Sequence, residues 1–118
     1  PGQFVTGMVK VAELSHRGAV QIPVLIVNGA KPGPRLWLNG AVHGDELNGP
    51  MAIRNLLPRL DPQKMSGAVI ATPISNPLAF QARQKNTPQD GFRVIQEERS
   101  RKDWLIIFLN KSNGWLLI

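Results

Sequence analysis

The order of four segments constrains this chain most: an apolar strand signal at residues 35–42, a glycine-bounded polar turn, a helical periodicity, and a second apolar strand signal at residues 67–74. A strand, a polar loop, a helix and another strand make a βαβ unit. That pattern predicts an α/β fold, a mixed sheet with a βαβ core covered by helices. In such sheets ligands collect outside the carboxyl ends of the strands. The run Gly40-Ala41-Val42-His43-Gly44-Asp45-Glu46-Leu47-Asn48-Gly49 falls at one such end.

The neighbouring elements follow from local chemistry. A helix is predicted over about residues 49–57, with Pro50 in a first turn that tolerates it, Met51, Ile53, Leu56, Leu57 and Leu60 near helical spacing, and Pro58 as its stop. Residues 4–11 and 20–27 read as strands that, with the one at 35–42, make a hairpin-like start, Pro23 marking an edge strand or a bulge. Lys31-Pro32-Gly33-Pro34 reads as a tight connection to the strand at 35–42. The strand at 67–74 leads into the polar loop Pro73-Ile74-Ser75-Asn76-Pro77, so two strand ends can converge on one site.

His43 and Glu46 place an imidazole and a carboxylate three residues apart in a turn that Gly40 and Gly44 keep open. Such a nitrogen–oxygen pair suits Zn²⁺, which needs a third protein ligand before it is catalytic. The residues alone leave a second reading open, a capped turn in which Asp45 or Asn48 satisfies the first N–H groups of the helix. His16, beside Arg17, reads as a solvated loop residue. Arg83 offers a cation to a carboxylate or a developing oxyanion, or is an ordinary surface arginine. Asn76 closes an Asx turn before Pro77 on the simplest reading.

Composition excludes several classes. At 118 residues the chain is one domain's worth, and a start at Pro1 rather than Met suggests a fragment or a trimmed chain. With no cysteine, neither a disulfide framework nor a thiolate metal site can form. The longest apolar runs, residues 104–109 and 115–118, are too short to span a bilayer, and no signal segment opens the chain. A soluble, cytoplasmic protein without a membrane partner is the expectation. The net charge of +6 is dispersed, clustering only at Arg99, Arg101 and Lys102 beside Glu97, Glu98 and Asp103. This favours anionic small molecules over nucleic acid, though a basic nucleic-acid-binding domain and a non-catalytic metal-binding or interaction module stand as the rival classes.

Three blocks, LWLNGAVHGDELNGP, ATPISNPLAFQAR and NTPQDG, lie in order between Gln21 and Gly91. In sequence and spacing this stretch resembles the N-terminal part of the succinylglutamate desuccinylase/aspartoacylase family, within the zinc carboxypeptidase superfamily. The resemblance implies a partial zinc-carboxypeptidase-like (phosphorylase/hydrolase-like) domain. It further implies a Zn²⁺-dependent hydrolase of amide bonds in small anionic N-acyl amino acids. By position, His43 and Glu46 match the family's first two zinc ligands, and Arg83 matches the arginine that polarises the scissile carbonyl.

After Gly91 the chain departs from that pattern. The Asp-Leu-Asn-Arg motif that follows in the family is missing, no histidine follows His43, and Glu97 and Glu98 lie too early to serve as the family's late general base. The expected organisation is therefore residues 1–91 as the family's N-terminal part and 92–118 as a divergent tail, with little or no catalysis from the chain alone. Shifting the codons of residues 93–104 by one nucleotide, with one base from the codon before and two from the codon after, can spell Ser-Gly-Asp-Pro-Gly-Gly-Thr-Phe-Pro-Glu-Arg-Leu-Ala, similar to the family's continuation. A frameshift is thus the preferred account of the tail, and an uninterrupted, codon-biased coding frame through residues 92–118 would end it. On that account residues 104–109 form an exposed, β-prone segment that favours self-association; the other reading makes them a final strand of the sheet.

Overall fold

The computed structural model describes residues 1–15, 18–88, 104–109 and 115–117. His16 and the charged cluster at 97–103 lie outside the described residues. Along the chain run β1 (Gln3–Glu13), β2 (Ala19–Asn28), β3 (Lys31–Gly40), α1 (Asn48–Leu56), a single 3₁₀ turn (Leu57–Arg59), β4 (Ser66–Thr72), α2 (Pro77–Ala82), β5 (Trp104–Leu109) and β6 (Trp115–Leu117). Six strands form one sheet in the order β1-β2-β4-β3-β5-β6. The β1–β2, β2–β4 and β5–β6 pairs are antiparallel, while β3 lies parallel to both β4 and β5. This is the mixed α/β sheet with a βαβ core, β3-α1-β4, that the pattern predicts.

Side-chain alternation assigns the faces. Leu36 and Leu38 of β3 stand beside Val69 and Ala71 of β4, which stand opposite Val27 and Leu25 of β2. Onto this apolar face α1 lays Ile53, and Leu57 and Leu60 continue its stripe at i+4 and i+7. Met51 and Leu56 fall off that stripe and are exposed. Val27, Leu38, Ile53, Leu57, Val69 and Ala71 make up the buried cluster. Ile53→Val, which removes one buried methylene, is expected to cost about 0.5–1.5 kcal/mol, to be read from the midpoint of urea unfolding.

Three details differ from the expectations. The helix starts one residue earlier, and Pro58 sits inside the 3₁₀ turn instead of beyond the last turn. Lys31-Pro32-Gly33-Pro34 belongs to β3, where pairing jumps from Lys31↔Ser66 to Arg35↔Ala68, because two prolines without N–H groups cannot continue a regular ladder. Gly67 faces this irregularity at φ +85, a conformation that favours glycine, and a Cβ there would meet the Pro34 carbonyl. Finally, β4 inserts between β2 and β3, so those two sequence neighbours do not pair. Pro23 pairs with Met8 of β1 but lies outside the stretch Leu25–Asn28 that β4 covers, so its missing donor leaves no gap in the β2–β4 ladder.

Of the two readings of residues 104–109, the structure has the strand: β5 runs in register from Arg35↔Trp104 to Gly40↔Leu109. Among the described residues no helix is long and apolar enough to cross a membrane.

Candidate functional site at the carboxyl ends of β3 and β4

Because β3 and β4 are parallel, both of their exits open at the same edge of the sheet. Backbone hydrogen bonds stitch the two exit loops together, Ser75 N donating to Gly40 O at 2.9 Å and Asn76 N to Ala41 O at 3.1 Å. Side chains reinforce the seam. Trp37 Nε1 donates to Thr72 Oγ1 at 3.0 Å, and the hydroxyls of Thr72 and Ser75 donate to Asn39 Oδ1. Asn39, Thr72 and Ser75 are all buried, and this network replaces part of the water they give up on folding, Asn39 Nδ2 being left buried without a hydrogen-bond partner among the described residues. Among the described residues two non-glycines have positive φ, Ala41 at 47° and Arg83 at 53°. Ala41 lies in the loop leaving β3 and Arg83 directly after Ala82, the last residue of the helix that follows β4, and backbone strain of this kind commonly concentrates around function.

The turn after β3 is compact. Glu46 N donates to His43 O at 3.2 Å, which brings the two candidate ligands into a single turn. Gly44 is buried with its α-carbon against the Ala79 peptide, so α2 forms the wall of this turn. His43 is half-buried, and its Nδ1 lies 3.1 Å from the Lys85 carbonyl. A carbonyl only accepts, so in this contact the ring nitrogen is the donor. Glu46 is half-buried too, and its Oε2 is fully buried without a hydrogen-bond partner among the described residues. Asp45 is exposed. Neither Asp45 nor Asn48 caps α1: its N-cap is Leu47, which makes no side-chain cap bond, and Asn48 already lies within the helix. The capping alternative therefore does not account for the acids in this turn.

The loop after β4 holds an element that periodicity missed. Asn76 is the N-cap of α2, its Oδ1 accepting from Ala79 N at 3.1 Å, and Pro77 occupies the first helical turn. Asn-Pro ahead of Leu-Ala-Phe is a helix-start signal that was there to be read. Asn76 Nδ2 also donates to Thr87 Oγ1 at 3.0 Å, a contact that spacing alone does not suggest. Arg83 is the C-cap of α2 in the left-handed conformation, its side chain exposed, two residues before the Lys85 carbonyl that meets His43.

Among the described residues no three or more His, Asp or Glu side chains gather as a metal cage. A cavity at the opposite edge, lined by Lys31, Arg35 and Gly67 among others, touches none of these site residues.

The catalytic-domain model of succinylglutamate desuccinylase/aspartoacylase matches residues 32–101 of this chain. The chain belongs to this family. A curated relative, N-alpha-acetyl-L-2,4-diaminobutyric acid deacetylase of Halomonas elongata, is 40% identical over 74 residues, covering 63% of this chain and 21% of the relative. Among solved structures, the succinylglutamate desuccinylase/aspartoacylase of Rhodobacter sphaeroides superposes with a TM-score of 0.68 at 37% identity, over 76% of this chain and 28% of that one. The product-bound ectoine utilization protein of Ruegeria pomeroyi does so with a TM-score of 0.68 at 30% identity, over 75% of this chain and 28% of that one. The α/β sheet is thus the zinc-carboxypeptidase-like fold of this family, whose named members are deacylating amide hydrolases. The chain spans about a fifth of the length of the curated relative it matches.

Proposed function

We propose that the chain carries the first part of a zinc-dependent deacylase that hydrolyses the amide bond of N-acyl amino acids, with His43 and Glu46 as two of the metal ligands. The observation that carries this reading is the buried, unpartnered Glu46 Oε2, held in one turn with His43. A buried carboxylate oxygen without a partner is costly, and a cation shared with the neighbouring imidazole removes the cost. Nitrogen and oxygen donors of this kind fit zinc. When bound, zinc supplies Lewis acidity, polarising the scissile carbonyl and lowering the pKa of water. Arg83, anchored at the end of α2 beside the loop that meets His43, is the candidate to hold the carbonyl oxygen as negative charge develops. The net charge of +6 supports attraction of a carboxylate-bearing substrate.

No histidine follows His43, so the 118 residues alone offer two proposed ligands where a catalytic zinc takes three. We expect weak zinc retention and little turnover from this chain by itself. The two-donor count equally fits a non-catalytic metal-binding module, which would retain zinc and hydrolyse nothing. Zinc content by atomic absorption, then hydrolysis of N-acetyl and N-succinyl amino acids, separates these readings. His43→Ala is expected to lower zinc retention by at least about 100-fold, beyond the loss typical of a supporting residue. Retention unchanged by this substitution would remove the metal reading.

A further inference from the structure

We propose that Asn48 is a site of spontaneous deamidation, converted to aspartyl and isoaspartyl forms by attack of the Gly49 backbone nitrogen. Asparagine followed by glycine is the dipeptide most prone to this reaction, because glycine has no side chain to hinder the approach. The chain has four such pairs, beginning at Asn28, Asn39, Asn48 and Asn113. Asn113 lies outside the described residues, and the fold distinguishes the other three. Asn39 is fully buried, its Oδ1 accepting from the hydroxyls of Thr72 and Ser75. Asn28 is exposed, but Gly29 N is engaged, donating to Gly67 O at 2.8 Å. Asn48 is exposed, and its side-chain amide makes no hydrogen bond among the described residues. Gly49 N makes none there either, since it precedes the first N–H that finds a helical acceptor, Met51 N donating to Leu47 O at 3.1 Å.

Two further features loosen this turn. The N-cap, Leu47, supplies no side-chain cap bond, and Pro50 has no N–H to contribute. Uncapped helix starts fray, and fraying lets the Asn48 backbone rotate until Cγ meets the Gly49 nitrogen. Gly49 is buried, its carbonyl carbon against Gly40, so the reaction proceeds through that opened state. As the bond from Gly49 N to Cγ forms, the Cγ–Nδ2 bond breaks; the proton of Gly49 N passes through water to Nδ2, which leaves as ammonia. Water then opens the cyclic imide. Breaking the new bond from Cγ to Gly49 N gives aspartate, whereas breaking the original Asn48–Gly49 peptide bond gives isoaspartate, with the main chain routed through the side chain. Either way an amide and a water become a carboxylate and an ammonium ion. The added charge stands at the start of α1, two residues past Glu46, and the isoaspartyl form also lengthens the backbone there by one carbon. No metal takes part, so the inference stands apart from the proposed function.

The test incubates the native chain for days at neutral pH and maps its peptides by mass spectrometry. Deamidation registers as a gain of one mass unit, and fragment ions place it. Conversion at Asn48 is expected to run at least about tenfold faster than at Asn28 or Asn39 in the same sample, a difference that a modest gap in local opening supplies. In urea the three sites should convert at similar rates, each being an asparagine before a glycine. Asn48→Gln, whose longer side chain closes a ring far more slowly, is expected to stop conversion at this position. The separated isoaspartyl form should melt below the native chain, because the start of α1 has lengthened. Conversion at Asn48 no faster than at Asn28 in the folded chain would overturn the proposal. So would the same order of rates persisting in urea, since the fold would then not be what selects the site.

Discussion

Gly44→Ala is expected to destabilise the chain by about 3 kcal/mol, the upper end of the overpacking range. Gly44 has no positive φ to protect; the reason is proximity. A Cβ built on it points into the carbonyl carbon and oxygen of Ala79 and the nitrogen of Phe80, all backbone atoms of α2. Flexible side chains give way to an added methyl group, but a helix backbone does so only by moving as a unit. Displacing α2 would strain the Asn76 cap and the seam from Ser75 N to Gly40 O and from Asn76 N to Ala41 O. For a domain of this size the melting temperature should fall by roughly 10–15 °C. Gly7→Ala is the control, since nothing lies within 4 Å of a Cβ there, and its effect should stay within about 0.5 kcal/mol. Equal melting temperatures for Gly44→Ala and the native chain would show that the turn does not rest on α2.

What the sequence reveals about this molecule divides by the range of the interactions involved. The β3-α1-β4 unit was legible because its signals are local: an apolar run, a glycine-bounded turn, and the stripe Ile53, Leu57, Leu60. The convergence of the two exit loops also follows, since parallel strands must open at one edge. The insertion of β4 between β2 and β3 was not legible, because Leu25↔Ala71 and Leu38↔Ala71 join residues far apart in the chain and no local pattern encodes them. Lys31-Pro32-Gly33-Pro34 looked like a turn on composition, yet pairing with β4 absorbs it as an irregular strand start. Six residues of α2 are too few for periodicity to show, although the Asn76-Pro77 start was readable. At the site, chemistry and spacing singled out His43 and Glu46. The burial of one oxygen of Glu46 and the reach of Asn76 to Thr87 depend on tertiary packing, and spacing is silent on both.

Glu46→Leu should separate stability from metal binding by moving them in opposite directions. In the metal-free chain Oε2 of Glu46 is buried without a partner, an arrangement that forfeits the hydration of a carboxylate oxygen. Leaving such a group unsatisfied costs roughly 1–3 kcal/mol, and an apolar side chain of similar reach releases that cost. Because the residue as a whole is only half-buried, a gain of about 1 kcal/mol is expected, near the lower end of that range. The metal-free variant should then melt higher than the native chain by several degrees. Zinc retention should fall by at least about 100-fold, since a proposed ligand and not merely its support has gone. Glu46→Gln sharpens the comparison: it removes the charge but keeps a polar group that still needs partners, so it should lose zinc without the gain in stability. A metal-free Glu46→Leu chain that melts lower than the native one would mean that the carboxylate is already compensated by the fold. The physical reason for placing a cation beside His43 would then be gone. The opposite result would show that this turn gives up stability to keep an acid aimed at its neighbour, as binding sites commonly do.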